Sequence, residues 1–117
     1  MNAKIYIANK MDERLFAWYR PDYIKNYEEL KAELINLNWL TKRTARHEYF
    51  MAEKQMDYSY GNTGLGAENY KSEPFSPLVL EVMEALNEDF GTSFNDCFLN
   101  KYDNEQQHLG WHADDFA

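Results

Sequence analysis

The chain opens with Ile5 and Ile7 interleaved with Tyr6 and Ala8, a period of two that predicts a short strand. A different rhythm follows. Ile24, Tyr27, Leu30, Leu34 and Leu37 recur at steps of three or four, which predicts an amphipathic helix from about Asn26 to Leu37. Asn26 followed by Glu29 resembles a capping box at its start. From Thr41 to Met51 the chain is polar and basic, with Lys42, Arg43 and Arg46, and then Met56, Tyr58 and Tyr60 alternate as in a strand. Gly61, Gly64 and Gly66 lie in a polar stretch that runs to Pro74 and Pro77. No helix begins directly after these glycines and no Lys-Ser/Thr pair follows, so they read as a flexible connection rather than a phosphate loop.

Ser76 and Pro77 stand where an N-cap and first helical residue belong. Val79, Met83, Leu86 and Phe90 make one face, and Gly91 is a natural stop. A second helix over Pro77 to Phe90 is predicted. Beyond it, Phe94 to Tyr102 and Gln107 to Asp114 read as two strands joined by a turn at Asp103, Asn104 and Glu105. The expected fold class is α+β: two amphipathic helices flanking a mainly antiparallel sheet, with the strands of Asn100 and His112 adjacent.

Size and composition narrow the picture without changing it. A chain of 117 residues has room for one domain, spanning 1–117, and 44% apolar and 16% aromatic residues suffice for a core. The formal charge of -8 opposes nonspecific attraction to a phosphate backbone, so any nucleic-acid site must be local, and Lys42, Arg43 and Arg46 form the one basic cluster near aromatic residues. Cys97, the single cysteine, excludes an intrachain disulfide and suits a reducing compartment; it is expected to act as a small buried apolar group. The first ten residues lack the apolar run of a signal peptide, and no uncharged stretch approaches the ~20 residues that span a bilayer. A soluble, cytoplasmic protein that keeps off membranes and acts as a monomer is expected.

The chemistry concentrates near the end. His112 and Asp114 are two apart, so a strand would aim both at one face and offer an imidazole and a carboxylate to one metal ion. With a second His, such a set makes the facial triad that suits non-haem iron(II). A lone His-x-Asp is a weak signal, and a hydrogen-bonded surface or core histidine is the ordinary alternative. His108 shares the expected face but stands about 13 Å from His112 along an extended chain, too far to share one ion. His47 is expected to be a polar surface residue. Asn100 and Tyr102 share a face of the preceding strand and offer an amide and a phenol, either to a bound carboxylate or to hydrogen bonds within the fold.

The run Phe94-Asn95-Asp96-Cys97-Phe98-Leu99-Asn100-Lys101-Tyr102, continuing through His108-Leu109-Gly110-Trp111-His112-Ala113-Asp114-Asp115, resembles the signature segment of the AlkB-like dioxygenases. Upstream, Thr44-Ala45-Arg46, Tyr58-Ser59-Tyr60-Gly61, Tyr70, and Ser72 with Pro74-Phe75 stand in that family's order. The resemblance extends from about Thr41 to the last residue. It implies a double-stranded β-helix, or jelly roll, incomplete here, with helices packed outside. It further implies that His112 and Asp114 bind iron(II), that Asn100 and Tyr102 hydrogen-bond the co-substrate 2-oxoglutarate, and that Asp115 approaches the damaged base. Arg46, Tyr58 and Tyr60 would belong to a nucleic-acid lid; without that role, the tyrosines would pack on the first helix and Arg46 would form a surface salt bridge.

The implied activity is oxidative dealkylation of bases in DNA or RNA, single-stranded or with the base flipped out, using O2. The second metal-binding His and the Arg for the far carboxylate of 2-oxoglutarate are expected beyond Ala117, which makes the chain the amino-terminal part of a longer protein and inactive by itself. The alternatives are an oxygenase acting on a substrate other than nucleic acid, or a noncatalytic interaction domain that keeps a relict pocket.

Overall fold

The computed structural model describes residues 4–7, 16–42, 45–60 and 68–111. Its elements run β1 (Lys4–Ile7), β2 (Phe16–Tyr19), α1 (Tyr27–Ile35), β3 (His47–Ala52), β4 (Asp57–Tyr60), β5 (Glu68–Lys71), α2 (Pro77–Phe90) and β6 (Asp96–Lys101). The strands form three antiparallel pairs, β1 with β2, β3 with β6 and β4 with β5. The protein is therefore α+β, with two helices and small antiparallel sheets that do not close on one another among the described residues. No helix among these residues is long and apolar enough to cross a membrane.

β3 organises the molecule. Its register with β6 pairs His47 with Lys101, Tyr49 with Leu99 and Met51 with Cys97 on one face, and Glu48 with Asn100, Phe50 with Phe98 and Ala52 with Asp96 on the other. The first face meets the helices through Leu30, Met51 and Val79, with Leu34, Leu99 and Val82 around them. The second meets the β4–β5 hairpin through Phe50, Ala52 and Tyr70, joined by Tyr58 and Phe98. The edge of β3 away from β6 is also occupied. Leu40 exchanges backbone bonds with Glu48 at 2.9 and 3.0 Å, and Glu73 bonds Phe50 and Ala52 at 2.8 and 3.0 Å. A strand covered on both faces and engaged along both edges shows no simple alternation of polar and apolar residues. The stretch from Thr41 to Met51 reads as polar and basic because Arg46, His47 and Glu48 enter it as members of ion pairs.

The helices depart from their expected ends in one place and their expected caps in two. Asn26 does precede α1, but its side chain makes no capping bond, and the first turn closes through Leu30 N–H donating to the Asn26 carbonyl at 3.0 Å. α1 stops at Ile35 rather than Leu37. The Asn36 side-chain amide donates to the Ala32 carbonyl at 3.0 Å, and Leu37 N–H and Trp39 Nε1 both turn back to the Leu34 carbonyl, at 3.2 and 2.8 Å. α2 has its expected limits, with Pro77 in the first turn and Gly91 in the left-handed conformation at φ 62°. Its N-terminus is capped from elsewhere: the Glu33 carboxylate of α1 accepts the Leu78 N–H at 3.0 and 3.3 Å, while Ser76 makes no side-chain cap.

The expectation of a second strand after β6 is corrected for Gln107 to Trp111, which form none. The neighbour of β6 is β3. Asp103 N–H donates to Gln107 Oε1 at 2.7 Å, Gln106 N–H to Asn104 Oδ1 at 3.0 Å and Gln107 N–H to the Asn104 carbonyl at 3.1 Å. These bonds turn the chain on itself and use groups that a strand ladder would need.

Candidate functional site

The inner face of the β3–β6 pair, the side that carries Glu48, Phe50, Phe98 and Asn100, has an aromatic end and a polar end. At the aromatic end Phe50 and Tyr58 lie with ring centroids 5.3 Å apart, Tyr58 and Phe98 5.5 Å, and Tyr70 meets Phe98 edge-on at 4.8 Å. Tilted and edge-on arrangements are those favoured by ring quadrupoles. Lys42 places Nζ 4.3 Å from the Tyr70 ring centroid and donates to the Asn69 carbonyl, so one cation is held beside this cluster.

At the polar end, Arg46 Nε and Nη2 donate to Glu48 Oε2 at 3.2 and 3.0 Å. Arg46 is 6% exposed and Glu48 is fully buried. Directly across the ladder from Glu48 stands Asn100, whose side chain is exposed, and Tyr102 beyond the strand end is 42% exposed. An amide and a phenol are thus open to a ligand at one end of β6, beside a carboxylate whose charge a guanidinium balances.

The expected site residues separate into three groups. Asn100 in β6 and Tyr102 just past its last residue lie at the same end of that strand. Arg46 lies inside, paired with Glu48 rather than in a surface salt bridge, and Tyr58 packs on Phe50 and Phe98 rather than on the first helix. Tyr60 ends β4 opposite Glu68, and its side chain lies outside the described residues. His112, Asp114 and Asp115 also lie outside them. Among the described residues no three His, Cys, Asp or Glu side chains converge as a metal site would need.

Sequence reasoning missed two members of this region. Glu48 had no distinguishing spacing to another candidate residue. His47, expected at the surface, is a β3 residue whose Nε2 lies 2.7 Å from Asp103 Oδ2 and whose Nδ1 lies 2.9 Å from Thr41 Oγ1. The Lys101 ammonium beside Asp103, at 3.1 Å, and then His47 hold its carboxyl below the usual carboxylate range. His47, Tyr49 and Met51 do repeat with period two, which was the available signal. Burial, with a smaller contribution from Asp96, pushes the Cys97 thiol up, so it stays protonated within the helix-side core. No protein-family model, curated protein or solved structure matches this chain.

Proposed function

We propose that the chain carries the co-substrate strand and the first metal-binding segment of an AlkB-like dioxygenase that uses iron(II) and 2-oxoglutarate to remove alkyl groups from nucleic-acid bases. The reading is carried by one juxtaposition: Asn100, opposite the buried Glu48 that Arg46 balances, and Tyr102 stand exposed at the end of β6, a short stretch of chain before His112 and Asp114. Neutral donors on an exposed edge suit a dicarboxylate, since Arg46 offsets the nearby negative charge of Glu48. In this reading His112 and Asp114 hold the ion, and Asn100 and Tyr102 orient the co-substrate on it. The ion supplies activation of oxygen when bound.

The aromatic end would accept the base. Tyr58 and Phe98, half-buried rings backed by the buried Phe50, would offer it an apolar wall, and a flipped base gains ~1 to 3 kcal/mol by stacking. Arg46 acts here from inside the fold, by balancing Glu48, and a jelly roll is the architecture within which such a strand pair would serve. The test is a Mn(II) titration followed by electron paramagnetic resonance of the free ion, with and without 2-oxoglutarate. The co-substrate should tighten Mn(II) binding in the parent chain but not in Asn100→Ala or Tyr102→Phe, and His112→Ala should lose binding altogether. Equal affinities in all four proteins would remove the basis for this function.

A further inference from the structure

Opposite the inner face, the end of β6 is held by a continuous series of side-chain contacts. Trp39, anchored by its Nε1 bond to the Leu34 carbonyl at 2.8 Å, lies under Lys101, whose Nζ is 5.5 Å from its ring centroid. Lys101 reaches Asp103 Oδ1 at 3.1 Å, and the other carboxylate oxygen reaches His47 Nε2 at 2.7 Å. His47 is fixed in turn by Thr41 Oγ1 at 2.9 Å from its Nδ1. The Asp103 amide is held as well, by Gln107 Oε1 at 2.7 Å.

Nε2 faces a carboxylate and so carries a proton. Nδ1 can then accept from the Thr41 hydroxyl when the ring is neutral or donate to it when the ring is charged, because a hydroxyl serves both ways. His47 thus keeps its place in either protonation state.

Lys101 and Asp103 are both drawn to the helix side, the side of His47 and Trp39. Tyr102 lies between them in sequence. With its two neighbours tethered to one side, the extended chain leaves Tyr102 the other side, that of Asn100. We infer that His47 and Asp103 clamp the end of β6 so that Tyr102 faces the Asn100 side and the turn toward His112 starts from a fixed point, which makes both of them positioning residues. The clamp stands on the distances, whereas its service to a metal and co-substrate site rests on the function proposed above.

Site-specific 3-fluorotyrosine at position 102 of the full 117-residue chain, read by fluorine NMR, tests both parts separately. The parent should give one resonance displaced from that of the urea-unfolded chain. Asp103→Ala and His47→Ala should move it toward the unfolded position, while Asp103→Glu, which keeps a carboxylate, should restore most of the displacement. Thr41→Val, which removes the Nδ1 contact, and Lys101→Met, which removes the ammonium from Asp103 and Trp39, provide gentler variants if the alanine proteins do not fold. An unchanged resonance in folded variants would overturn the clamp, because a pair that merely adds stability lowers the melting temperature without moving Tyr102. Mn(II) is the second probe. Broadening of the resonance that disappears in His112→Ala supports the link to the metal segment; no broadening, with the clamp effect intact, overturns that link alone.

Discussion

Replacing Arg46 by alanine is the sharpest test of the polar end of the site, because it separates a guanidinium that holds the fold from one that holds a nucleic acid. Glu48 is fully buried and takes two guanidinium bonds on one oxygen, at 3.0 and 3.2 Å. Removing one partner of a buried ion pair typically costs ~3 to 5 kcal/mol, because a desolvated charge remains. For a domain of this size about 3 to 5 °C of melting temperature goes with each kcal/mol, so Arg46→Ala should melt at least ~10 °C lower. Arg46→Met with Glu48→Leu, which replaces both charges by apolar groups, should recover most of the loss. The deficit of the single variant should shrink as the pH falls, since a proton on the carboxylate left in apolar surroundings relieves the penalty. Thermal melts by circular dichroism between pH 5 and 8 read all three quantities, and oligonucleotide affinity on the same proteins reads the other role. A melting temperature within ~2 °C of the parent, with weakened oligonucleotide binding, would refute the buried-pair argument and return Arg46 to the lid.

The other expectations are more local. Glu33→Ala removes the carboxylate that accepts the Leu78 N–H at the start of α2 and should cost ~1 kcal/mol, as losing a helix cap does, with Glu33→Gln in between; urea melts decide it. Asp103 has its carboxyl held low by Lys101 and His47, so its contribution to stability is present above the ordinary carboxylate range and is lost as the pH falls through the folded value. Asp103→Asn should therefore flatten part of the acid limb of the stability profile and leave the melting temperature near pH 6 closer to that at about pH 2 than in the parent. On the proposed function, His112 and Asp114 supply two ligands of a three-ligand ion, and the 117-residue chain should form no succinate above a His112→Ala control, by chromatographic assay. Gly91→Ala should cost ~1 kcal/mol although its Cβ would meet nothing within 4 Å, because φ at that position is +62°.

The helices were legible because each buries one stripe: Leu30 and Leu34 on α1, Val79 and Met83 on α2, with Pro77 and Gly91 marking the ends of the second. Caps were less legible. Asn26 and Ser76 have the right chemistry in the right places, yet the bond that a capping side chain would make at α2 comes from Glu33, 45 residues away in sequence from Leu78. No local pattern reports a cap supplied by another helix. Asn100 falls in β6 and Tyr102 just past its end, where the two-residue period of the strand stops. The turn after them was missed in its consequences, since Gln107 reads as the first residue of a strand until Asp103 engages it.

β3 shows most clearly how polar residues can mark a buried strand. Arg46, His47 and Glu48 are consecutive, and their partners lie on opposite sides of the sheet: Arg46 and Glu48 bond on the inner side, while His47 reaches Asp103 on the helix side. A slip of one residue against β6 would turn His47 into the aromatic cluster and Glu48 toward Leu30 and Val79, because the side-chain period of a strand is two. Arg46 and Glu48, two apart on one strand, would turn together and carry their charges into the apolar helix side, and His47 would lose Asp103. Apolar residues alone discriminate poorly here, since Tyr49, Phe50, Met51 and Ala52 offer similar surfaces to both layers. The polar triplet that hides the strand from a hydrophobic reading is therefore what sets its register. That register in turn places Asn100 opposite Glu48 and Lys101 opposite His47, and so couples the open edge of the proposed site to the clamp behind it.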